Sequence, residues 1–373
     1  MSIVGIIAEY NPFHNGHLYH INKTKELCPD ATIILVLNGY FMQRGELSVL
    51  SKEDKTKIAL EYGVDIVLEL PFVFGTQSAD IFAYKSIEIL NHFGVDTIVF
   101  GSESNDIELL TKIADIQVND KNYNERVKTY LDEGINYPTA MAKALNIKRD
   151  FNNPNDLLGI SYIKAIMQIN NKIKPITIKR TNDYHDKTGN DEVISASNIR
   201  EKIKNNISID SFVPTGIANS IIDVSGEKLF DLIKYKTISD HDLSRYLTVD
   251  EGIESRLIDS INRAETLDDL IMRVKTKRYT YNKIRRMLVH ILVGFTKIHN
   301  NDLKLEYIKI LGFNSTGQKY LNRFKNDIKI PISIITDSLQ YQYELKATRI
   351  YDLINNTHCF EHEIKNRPIK EVS

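Results

Sequence analysis

Five short apolar runs, separated by stretches long enough to form helices, constrain the fold of this chain more than any other feature of its sequence. They lie at residues 3–8, 32–37, 65–70, 97–101 and 176–179. Runs such as VLEL and TIVF are apolar at nearly every position, which is typical of parallel strands buried on both faces. Parallel strands need crossover helices between them, and residues 51–62 and 79–93 have the length and pattern of two such helices. The sequence therefore predicts an α/β fold built on a parallel sheet.

The alternation of strand-like apolar runs with helix-length stretches ends before residue 211, and this change of pattern divides the chain. From there to residue 324 the apolar positions recur with helical spacing. The 373 residues also exceed the ~100–200 residues of a typical domain. We predict a catalytic α/β domain over residues 1–210 and a mostly helical domain over residues 211–373, joined near Pro214 and Gly216. Two further elements are predicted near the end of the chain, a strand at 332–336 and a helix at 343–354.

The composition is that of a globular protein in a reducing compartment. The chain is 42% hydrophobic and 26% charged with a net charge of −1, so no overall basic field would attract nucleic acid. Cys28 and Cys359 are far apart, which argues against a disulfide framework or a cysteine zinc site. The N-terminus lacks the basic start of a signal peptide, and no apolar run approaches the ~18 residues of a membrane span. We expect a cytoplasmic protein without a membrane anchor.

The first predicted strand ends in a loop that contains Asn11, Pro12 and Phe13, and the most informative motif, His14-Asn15-Gly16-His17, then opens a helix. Ligands of open parallel sheets bind beyond the carboxyl ends of the strands, where a helix N-terminus offers free N–H groups to phosphate. Both imidazoles lie on one face of that helix and can donate hydrogen bonds to a departing pyrophosphate, while Gly16 keeps the face open. The alternatives are a metal pair or an ordinary helix start. Zinc favours an i, i+4 histidine pair with a third ligand, and no HExxH motif occurs nearby.

A second motif, ISASNIR at residues 194–200, opens another predicted helix. Ser195 or Ser197 can cap this helix or bind phosphate, and Arg200, one turn further on, can reach the β- and γ-phosphates of a nucleotide. Alone, the motif indicates only a capped helix, but together with the first motif it predicts a triphosphate site. The electrostatic clamp of that site would consist of His14, His17, Ser197 and Arg200.

A basic segment lies in the predicted helical domain. Residues 272–287 contain seven Lys or Arg and no acidic residue, although the chain as a whole is nearly neutral. Cations suit phosphate contact and tyrosines suit stacking on exposed bases, so the segment indicates RNA binding. A solvated helix face is the alternative interpretation. The candidate RNA-binding residues are Lys275, Lys277, Arg278, Tyr279, Tyr281, Arg285 and Arg286.

The two motifs, in this order, resemble those of the HxGH nucleotidylyltransferase superfamily, where an ISSTxxR-like motif follows HxGH on a Rossmann-like sheet. Ala196 stands in place of the second serine of that pattern and Ser197 in place of its threonine, so either Ser195 or Ser197 is the phosphate contact. Further segments extend the resemblance, over most of the chain, to the bacterial tRNA(Met) cytidine acetate ligase family. They are VGIIAEYNPFHNGH (4–17), GYFMQRGE (39–46), VFGSE (99–103), NPNDLLGISYIKA (153–165), IKR (178–180) and KTKRYTY (275–281).

This resemblance implies an enzyme that joins acetate to ATP as acetyl-adenylate and then acetylates the wobble cytidine of elongator tRNA(Met). It implies Mg²⁺ carried by the triphosphate, no metal site made by the protein itself and no protein partner. The ATP contacts that it implies are Ile7, Ala8, Glu9, Tyr10, Asn11, Pro12, Phe13, His14, Asn15, Gly16, His17, Leu18, Tyr19, His20, Gly101, Asn155 and Arg180.

The isolated members of this set also have local interpretations. Gly101 would let a ribose or base approach the backbone, or would simply end a strand. Asn155 is as well placed to cap the following helix as to bind a ligand. Arg180, at a strand end, would meet either a phosphate or solvent. Residues 43–46 form a polar loop after the second strand, either a surface turn or a substrate-side loop, and their role stays open.

Two other classes of function fit parts of the sequence. An adenylyltransferase that moves AMP onto a small phosphate-bearing metabolite would use the first motif, but it leaves the helical domain unexplained. A non-catalytic RNA-binding protein would use the basic segment and would need neither nucleotide motif. Nucleotide turnover separates this last class from the two enzymes.

Overall fold

The computed structural model describes residues 2–135, 137–145, 153–180, 193–365 and 367–371. Seven strands of these residues form one sheet. They are β1 Ile3–Ala8, β2 Thr32–Asn38, β3 Ile66–Leu70, β4 Thr97–Ser102, β5 Lys174–Lys179, β6 Ile310–Phe313 and β7 Ile369–Lys370. Their order across the sheet is β5-β4-β1-β2-β3-β6-β7, and β1 to β5 are mutually parallel. The predicted α/β fold with a parallel sheet is confirmed.

Helices connect and cover these strands. In the first part of the described chain they are α1 Asn15–Leu27, α2 Lys52–Glu61, α3 Phe72–Gly75, α4 Ala79–His92, α5 Ile107–Asn119, α6 Tyr123–Asp132, α7 Tyr137–Ala144, α8 Pro154–Ile169 and α9 Ala196–Lys204. In the second part they are α10 Gly226–Ser239, α11 Ile253–Ile261, α12 Leu267–Val274, α13 Tyr281–Val293, α14 Lys297–Asp302, α15 Ser315–Phe324, α16 Leu339–Asn355 and α17 Cys359–Lys365, with short 3-10 turns at Ile217–Ser220 and Leu243–Arg245. Among the residues that the structure describes, none of the helices combines the length and the hydrophobicity that a membrane span requires.

Alternating side chains of the strands bury both faces of the sheet. In β2, Ile34 and Val36 join the apolar cluster on one face, whereas Ile33, Leu35 and Leu37 join the cluster on the other. Each such side chain contributes roughly 1.5–3 kcal/mol when it leaves water. This two-sided burial explains why the strands read as continuous apolar runs in the sequence.

The sheet takes strands from both ends of the chain. β6 pairs antiparallel with β3, and β7 pairs with β6. The predicted strand at 332–336 is wrong, because these residues form no strand pairing and β6 occupies the sheet position next to β3. The predicted helix at 343–354 is confirmed within α16. The two-domain division stays a prediction, since strands from its second range complete the sheet of its first.

The topology places a crevice beside β1. From β1 the chain runs outward through β2 and β3, and it then crosses back to form β4 and β5 on the other side of β1. The loops that follow β1 and β4 therefore leave the sheet in opposite directions and open a crevice between the carboxyl ends of these two strands. Open parallel sheets bind their ligands in such crevices. The first predicted motif follows β1 after a loop of residues 9–13, and Gly101 lies near the end of β4.

Candidate active site

His14 and His17 hold each other in place at the start of α1. His14 is the N-cap residue: its Nδ1 accepts a hydrogen bond from the Gly16 N–H at 3.0 Å, and Nδ1 of His17 accepts one from the His14 N–H at 3.3 Å. A ring nitrogen that accepts an N–H carries no proton of its own, so each neutral ring has its proton on Nε2. Both histidines are thereby fixed as Nε2–H donors.

Burial keeps these imidazoles neutral. Desolvation, with a smaller effect of Arg180 and Arg200, lowers the pKa of His14 to about 3. Desolvation also lowers the pKa of His17 well below its usual value, and the repulsion that a protonated His14 would exert lowers it further. Burial brings the pKa of His20 to about 4, and its Nε2 donates to the Val99 carbonyl at 3.0 Å. Neutral N–H groups can donate to oxygens that gain charge during a reaction, and unlike protonated imidazoles they do not repel a Mg²⁺ ion carried by the phosphates.

The second motif faces the same space. Ser195 is the N-cap of α9 and accepts from the Asn198 N–H at 3.2 Å. Arg200 donates to the Ser197 hydroxyl at 3.3 Å and to the Asn11 carbonyl at 2.6 Å. The capping hydroxyl is thus that of Ser195, which leaves the Ser197 hydroxyl beside the guanidinium. The bond to Asn11 connects the second motif directly to the loop of the first.

The loop at residues 43–46 joins this site to helix α13. Glu46 accepts from Arg200 at 2.7 Å through Oε2 and from Arg285 at 3.4 Å through Oε1. Although burial opposes it, the charges of Arg200 and Arg285 hold the pKa of Glu46 below its usual value. Gly45 has φ +77°, and a Cβ there would lie 2.8 Å from the Arg285 backbone. The loop therefore lies against α13 and does not form a simple surface turn.

The opposite wall comes from β4, β5 and α8. Gly101 lies within β4, where an added Cβ would approach the Arg180 side chain at 3.4 Å. Asn155 is not the N-cap of α8, because Asn153 occupies that position. The Asn155 side chain donates instead to Glu103 at 2.6 Å. The cap interpretation of Asn155 is wrong, and its amide lies at the edge of the site.

These groups surround one cavity of about 450 Å³, a size within the ~300–1,000 Å³ range of small-molecule sites. Most of the predicted residues line it. They are Ile7, Ala8, Glu9, Tyr10, Asn11, His14, Gly16, His17, Tyr19, His20, Gly101, Asn155, Arg180, Ser197 and Arg200. Four members of the predicted ATP segment, Pro12, Phe13, Asn15 and Leu18, are not among its lining residues.

Two of those four have clear structural partners. Phe13 is fully buried and stacks on Tyr62 with ring centroids 5.3 Å apart. The Asn15 amide side chain donates to the Ser211 carbonyl at 3.0 Å. These contacts support the loop of the first motif on the side away from the cavity. A direct ATP contact by Phe13 or Asn15 is therefore not supported in this conformation.

Sequence reasoning missed the apolar wall of the cavity. It consists of Ala79, Phe82, Phe100, Leu157, Leu158 and Tyr162. These positions come from three separate elements and read as ordinary core positions of their helices and strand. For Phe100, Leu157, Leu158 and Tyr162 the available signal was their place beside Gly101 and Asn155 in the segments 99–103 and 153–165, whereas Ala79 and Phe82 lie in neither segment.

One part of the basic segment is exposed to solvent, and the other part contacts residues elsewhere in the protein. Lys275, Lys277 and Arg278 are exposed in the loop between α12 and α13. Tyr279 is only 2% exposed, its hydroxyl donates to the Asp250 carbonyl at 2.8 Å and Lys283 covers its ring at 3.8 Å. The predicted stacking role of Tyr279 is therefore wrong for this conformation.

The remaining members of the segment lie on α13. Tyr281 is half-buried and hydrogen-bonds to Asp268. Arg285 reaches Glu46, and burial, with a smaller contribution from Arg44, lowers the pKa of Arg286 to about 10. Arg285 and Arg286 thus belong to the contact between α13 and the loop at 43–46. Their RNA contact stays a prediction, as does that of Tyr281 and the three exposed cations.

A buried carboxylate cluster lies elsewhere in the molecule. Glu69, Glu344 and Glu363 are the one group of three or more metal-type ligands found among the described residues. The ammonium group of Lys52 bonds to all three, at 2.7 Å to Glu344 and 2.8 Å to Glu363. The cluster is a buried ion-pair network that ties α2 and β3 to α16 and α17, since a cation of the protein already lies at its centre.

Comparisons with known proteins identify the family of this chain. A family model described as HIGH Nucleotidyl Transferase matches residues 1–366. The tRNA(Met) cytidine acetate ligase of Caldicellulosiruptor saccharolyticus is 40% identical over 95% of this chain and 94% of its own. That of Clostridium perfringens is 38% identical over 95% of this chain and 96% of its own. The chain belongs to the tRNA(Met) cytidine acetate ligase family.

A solved structure of this family has the same fold. The crystal structure of Thermotoga maritima TmcAL bound with alpha-thio ATP superposes with a TM-score of 0.88 at 30% identity, and each chain is covered completely. That relative holds an ATP analogue. The family resemblance seen in the motifs is therefore confirmed over the whole length of the chain.

Proposed function

We propose that this protein is an ATP-dependent ligase that activates acetate as acetyl-adenylate and acetylates the wobble cytidine of elongator tRNA(Met) to N4-acetylcytidine. The observation that carries the proposal is the meeting of His14, His17 and Arg200 in one cavity, within a chain of this family. Because this chemistry joins ATP and tRNA, we expect it to take place in the cytoplasm.

In the first step an acetate oxygen attacks the α-phosphorus of ATP, the bond to the bridging oxygen breaks and pyrophosphate leaves with the electron pair. The protein's contribution is positioning and charge stabilisation, because such transfers need little covalent help. The Nε2–H groups of His14 and His17 donate to oxygens that gain charge in the transition state. Arg200 and Arg180 add positive charge at the pyrophosphate side, and the Ser197 hydroxyl accompanies Arg200.

The two sides of the cavity suit the two ends of a nucleotide. The apolar wall near Phe100, Leu158 and Tyr162 offers a surface for adenine, and Gly101 leaves room for the sugar. His14, His17 and Arg200, which belong to the two motifs, line another part of the cavity, where the triphosphate would extend. Asn155, held by Glu103, offers its remaining polar atoms at the rim.

Mg²⁺ would be carried by the triphosphate. The carboxylates that line the cavity are Glu9 and Glu46, and hydrogen bonds already engage both of them. A cation would then be held mainly by phosphate oxygens and water, which is usual for magnesium at nucleotide sites. When bound, it would neutralise part of the charge that develops on pyrophosphate.

The exposed cations Lys275, Lys277 and Arg278 would contact the tRNA backbone. They precede α13, whose Arg285 meets the loop at 43–46 beside the cavity. A tRNA held on this surface would present its anticodon loop toward the acetyl-adenylate. The phosphate contacts supply affinity, whereas the cavity selects the cytidine.

The direct test is product formation. The purified protein is incubated with ATP, labelled acetate and either elongator tRNA(Met) or a tRNA with another wobble base, and the digested nucleosides are separated. We expect label in N4-acetylcytidine with elongator tRNA(Met) only. Transfer of AMP to a phosphorylated metabolite, without any labelled nucleoside, would instead support the adenylyltransferase alternative.

A further inference from the structure

The second step of the proposed function releases a proton, and few groups in the cavity are able to accept it. Nδ1 of His14 and Nδ1 of His17 each already accept a backbone N–H, and their Nε2 atoms carry protons. His20 donates through Nε2 to a carbonyl, and its other ring nitrogen is a poor proton acceptor because burial lowers the pKa of His20 to about 4. The lysine and arginines that line the cavity are donors. Among the lining residues, this leaves the carboxylates as the best candidates.

Of the two lining carboxylates, Glu46 is a poor proton acceptor. Both of its oxygens face guanidinium groups, one on Arg200 and one on Arg285. These charges stabilise the ionised form and lower its pKa. A proton placed on Glu46 would break two ion pairs, so this residue is suited to holding arginines in position.

Glu9 has a different environment. It directly follows β1, is half-buried and lines the cavity. Its Oε1 accepts from the Gln43 N–H at 2.6 Å and from the Asn38 side chain at 2.7 Å. Among the described residues both of these hydrogen bonds fall on the same oxygen. The carboxyl group is thus anchored through Oε1, and Oε2 is the atom left to meet a substrate.

Position adds a second argument for Glu9. Its anchor, Gln43, belongs to the loop at residues 43–46 that packs against α13. This is the side of the cavity from which RNA bound to the segment at 275–286 would enter. Glu9 therefore lies between the motif that begins at His14 and the side of the cavity from which the tRNA would enter.

We propose that Glu9 is the general base of acetyl transfer, accepting a proton from the exocyclic amine of the cytidine. This inference rests on the proposed function. The cytidine N4 attacks the acetyl carbonyl carbon of acetyl-adenylate, a C–N bond forms and the bond from that carbon to the phosphate oxygen breaks. AMP leaves with the electron pair, and the proton moves from N4 to Oε2 of Glu9 and then to water.

The electrostatic surroundings of Glu9 agree with this role. Among the described residues, the titratable groups that interact with it are Arg44 and Glu46 from the loop, Lys55 from α2 and Tyr162 from α8. Burial is the largest effect and raises the pKa of Glu9, while the Gln43 hydrogen bond and Arg44 lower it. A carboxyl group with a raised pKa is a stronger base at neutral pH than an ordinary one. The rate of transfer should rise with pH as Glu9 loses its proton.

The test isolates the second step by supplying synthetic acetyl-adenylate and tRNA(Met) to the full-length protein and measuring single-turnover acetyl transfer across a range of pH. In Glu9→Gln the amide oxygen can still accept from Gln43 and Asn38, so the loop keeps its anchor while the base is lost. We expect transfer to slow by about 10²–10⁴ and to lose its rise with pH. Glu26→Gln, which removes an exposed charge paired with Lys23 outside the cavity, should transfer at the wild-type rate.

Acetate-dependent exchange of pyrophosphate into ATP, measured on the same proteins, distinguishes a failure of the inference about Glu9 from a failure of the proposed function. If Glu9 is the base of the second step, Glu9→Gln should slow acetyl transfer by a much larger factor than it slows exchange, to which Glu9 contributes only as part of the cavity lining. Equal losses in exchange and transfer would overturn the inference in favour of a nucleotide-binding or structural role. A wild-type rate and pH profile of transfer in Glu9→Gln would also overturn it. Absence of both reactions in the wild-type protein would contradict the proposed function itself, and the inference with it.

Discussion

At the scale of single residues, the two motif histidines combine a structural and a chemical role, and a substitution can separate them. Asparagine at position 17 can accept the His14 N–H through its side-chain oxygen, but it lacks the Nε2–H donor. We expect His17→Asn to lower the rate of adenylate formation by about 10²–10³, because the lost donor acts on charge that grows in the transition state. ATP affinity should change much less. The measurement is pyrophosphate exchange, with the exposed His241→Ala as control; unchanged turnover in His17→Asn would show a structural role only.

The depressed pKa of His14 predicts a contribution to stability that depends on pH. The unfolded chain binds a proton at this residue near the ordinary histidine pKa of 6.5, whereas the folded protein binds it only near 3. The contribution is therefore fully present above pH 6.5 and is lost as the pH falls toward 3, by about 1.4 kcal/mol per pH unit. Asparagine is a good N-cap, so His14→Asn should keep the helix start. The free energy of unfolding, measured by denaturant titration from pH 7 to 5, should fall less steeply in this variant; parallel slopes would contradict the burial argument.

At the scale of elements, the close packing of the loop at 43–46 against α13 depends on a glycine. Gly45 and Gly216 both have positive φ, but a Cβ at Gly216 would meet nothing within 4 Å. We expect Gly216→Ala to cost only the backbone strain of about 1–2 kcal/mol. Gly45→Ala should cost more, since its Cβ would also collide with the α13 backbone. Equal losses in the free energy of unfolding would mean that the loop and α13 separate easily.

The elements also show what sequence periodicity can and cannot predict. Strands β1 to β5 were predictable because parallel strands buried on both faces produce continuous apolar runs. Strand β6 was missed, since its four residues lie in a region of helical spacing and its pairing with β3 depends on tertiary context. The cap position of α8 was misplaced by two residues, because Asn153 and Asn155 are both good capping residues in the same segment.

At the scale of the whole molecule, the proposed tRNA surface and the ATP cavity should be separable by mutation. Lys275, Lys277 and Arg278 are exposed and do not line the cavity. Replacing all three with alanine should weaken tRNA binding and reduce the slope of log K against log salt by about 0.7–0.9 per lost phosphate contact. Acetate-dependent exchange should persist.

A matched control for that triple variant removes three exposed cations from the α5–α6 region, Lys112, Lys121 and Lys128. It changes the net charge equally but leaves the basic segment intact. The two variants should therefore differ in salt slope if the segment contacts phosphates. The same affinity and slope in both would mean that the segment is a solvated surface and that the RNA contact lies elsewhere.

The motif residues of the site were easier to predict from the sequence than the residues that form its walls. The motif residues His14, His17, Ser197 and Arg200 line one cavity because strand ends of a parallel sheet meet at one edge. The apolar wall with Phe100 was not predictable, since apolar residues that line a cavity look like core residues in a sequence. The burial of Tyr279 was equally hidden, because an aromatic residue between cations fits both an exposed platform and a covered core position.

The central claim, that the cavity makes acetyl-adenylate, is tested most directly by exchange of labelled pyrophosphate into ATP by the purified protein without tRNA. The account predicts exchange when acetate is added, little exchange without a carboxylate, and a large loss in His17→Asn. Because adenylate formation uses only groups in the cavity, tRNA should not be required. Absence of acetate-dependent exchange, with tRNA(Met) present as well as absent, would contradict the account.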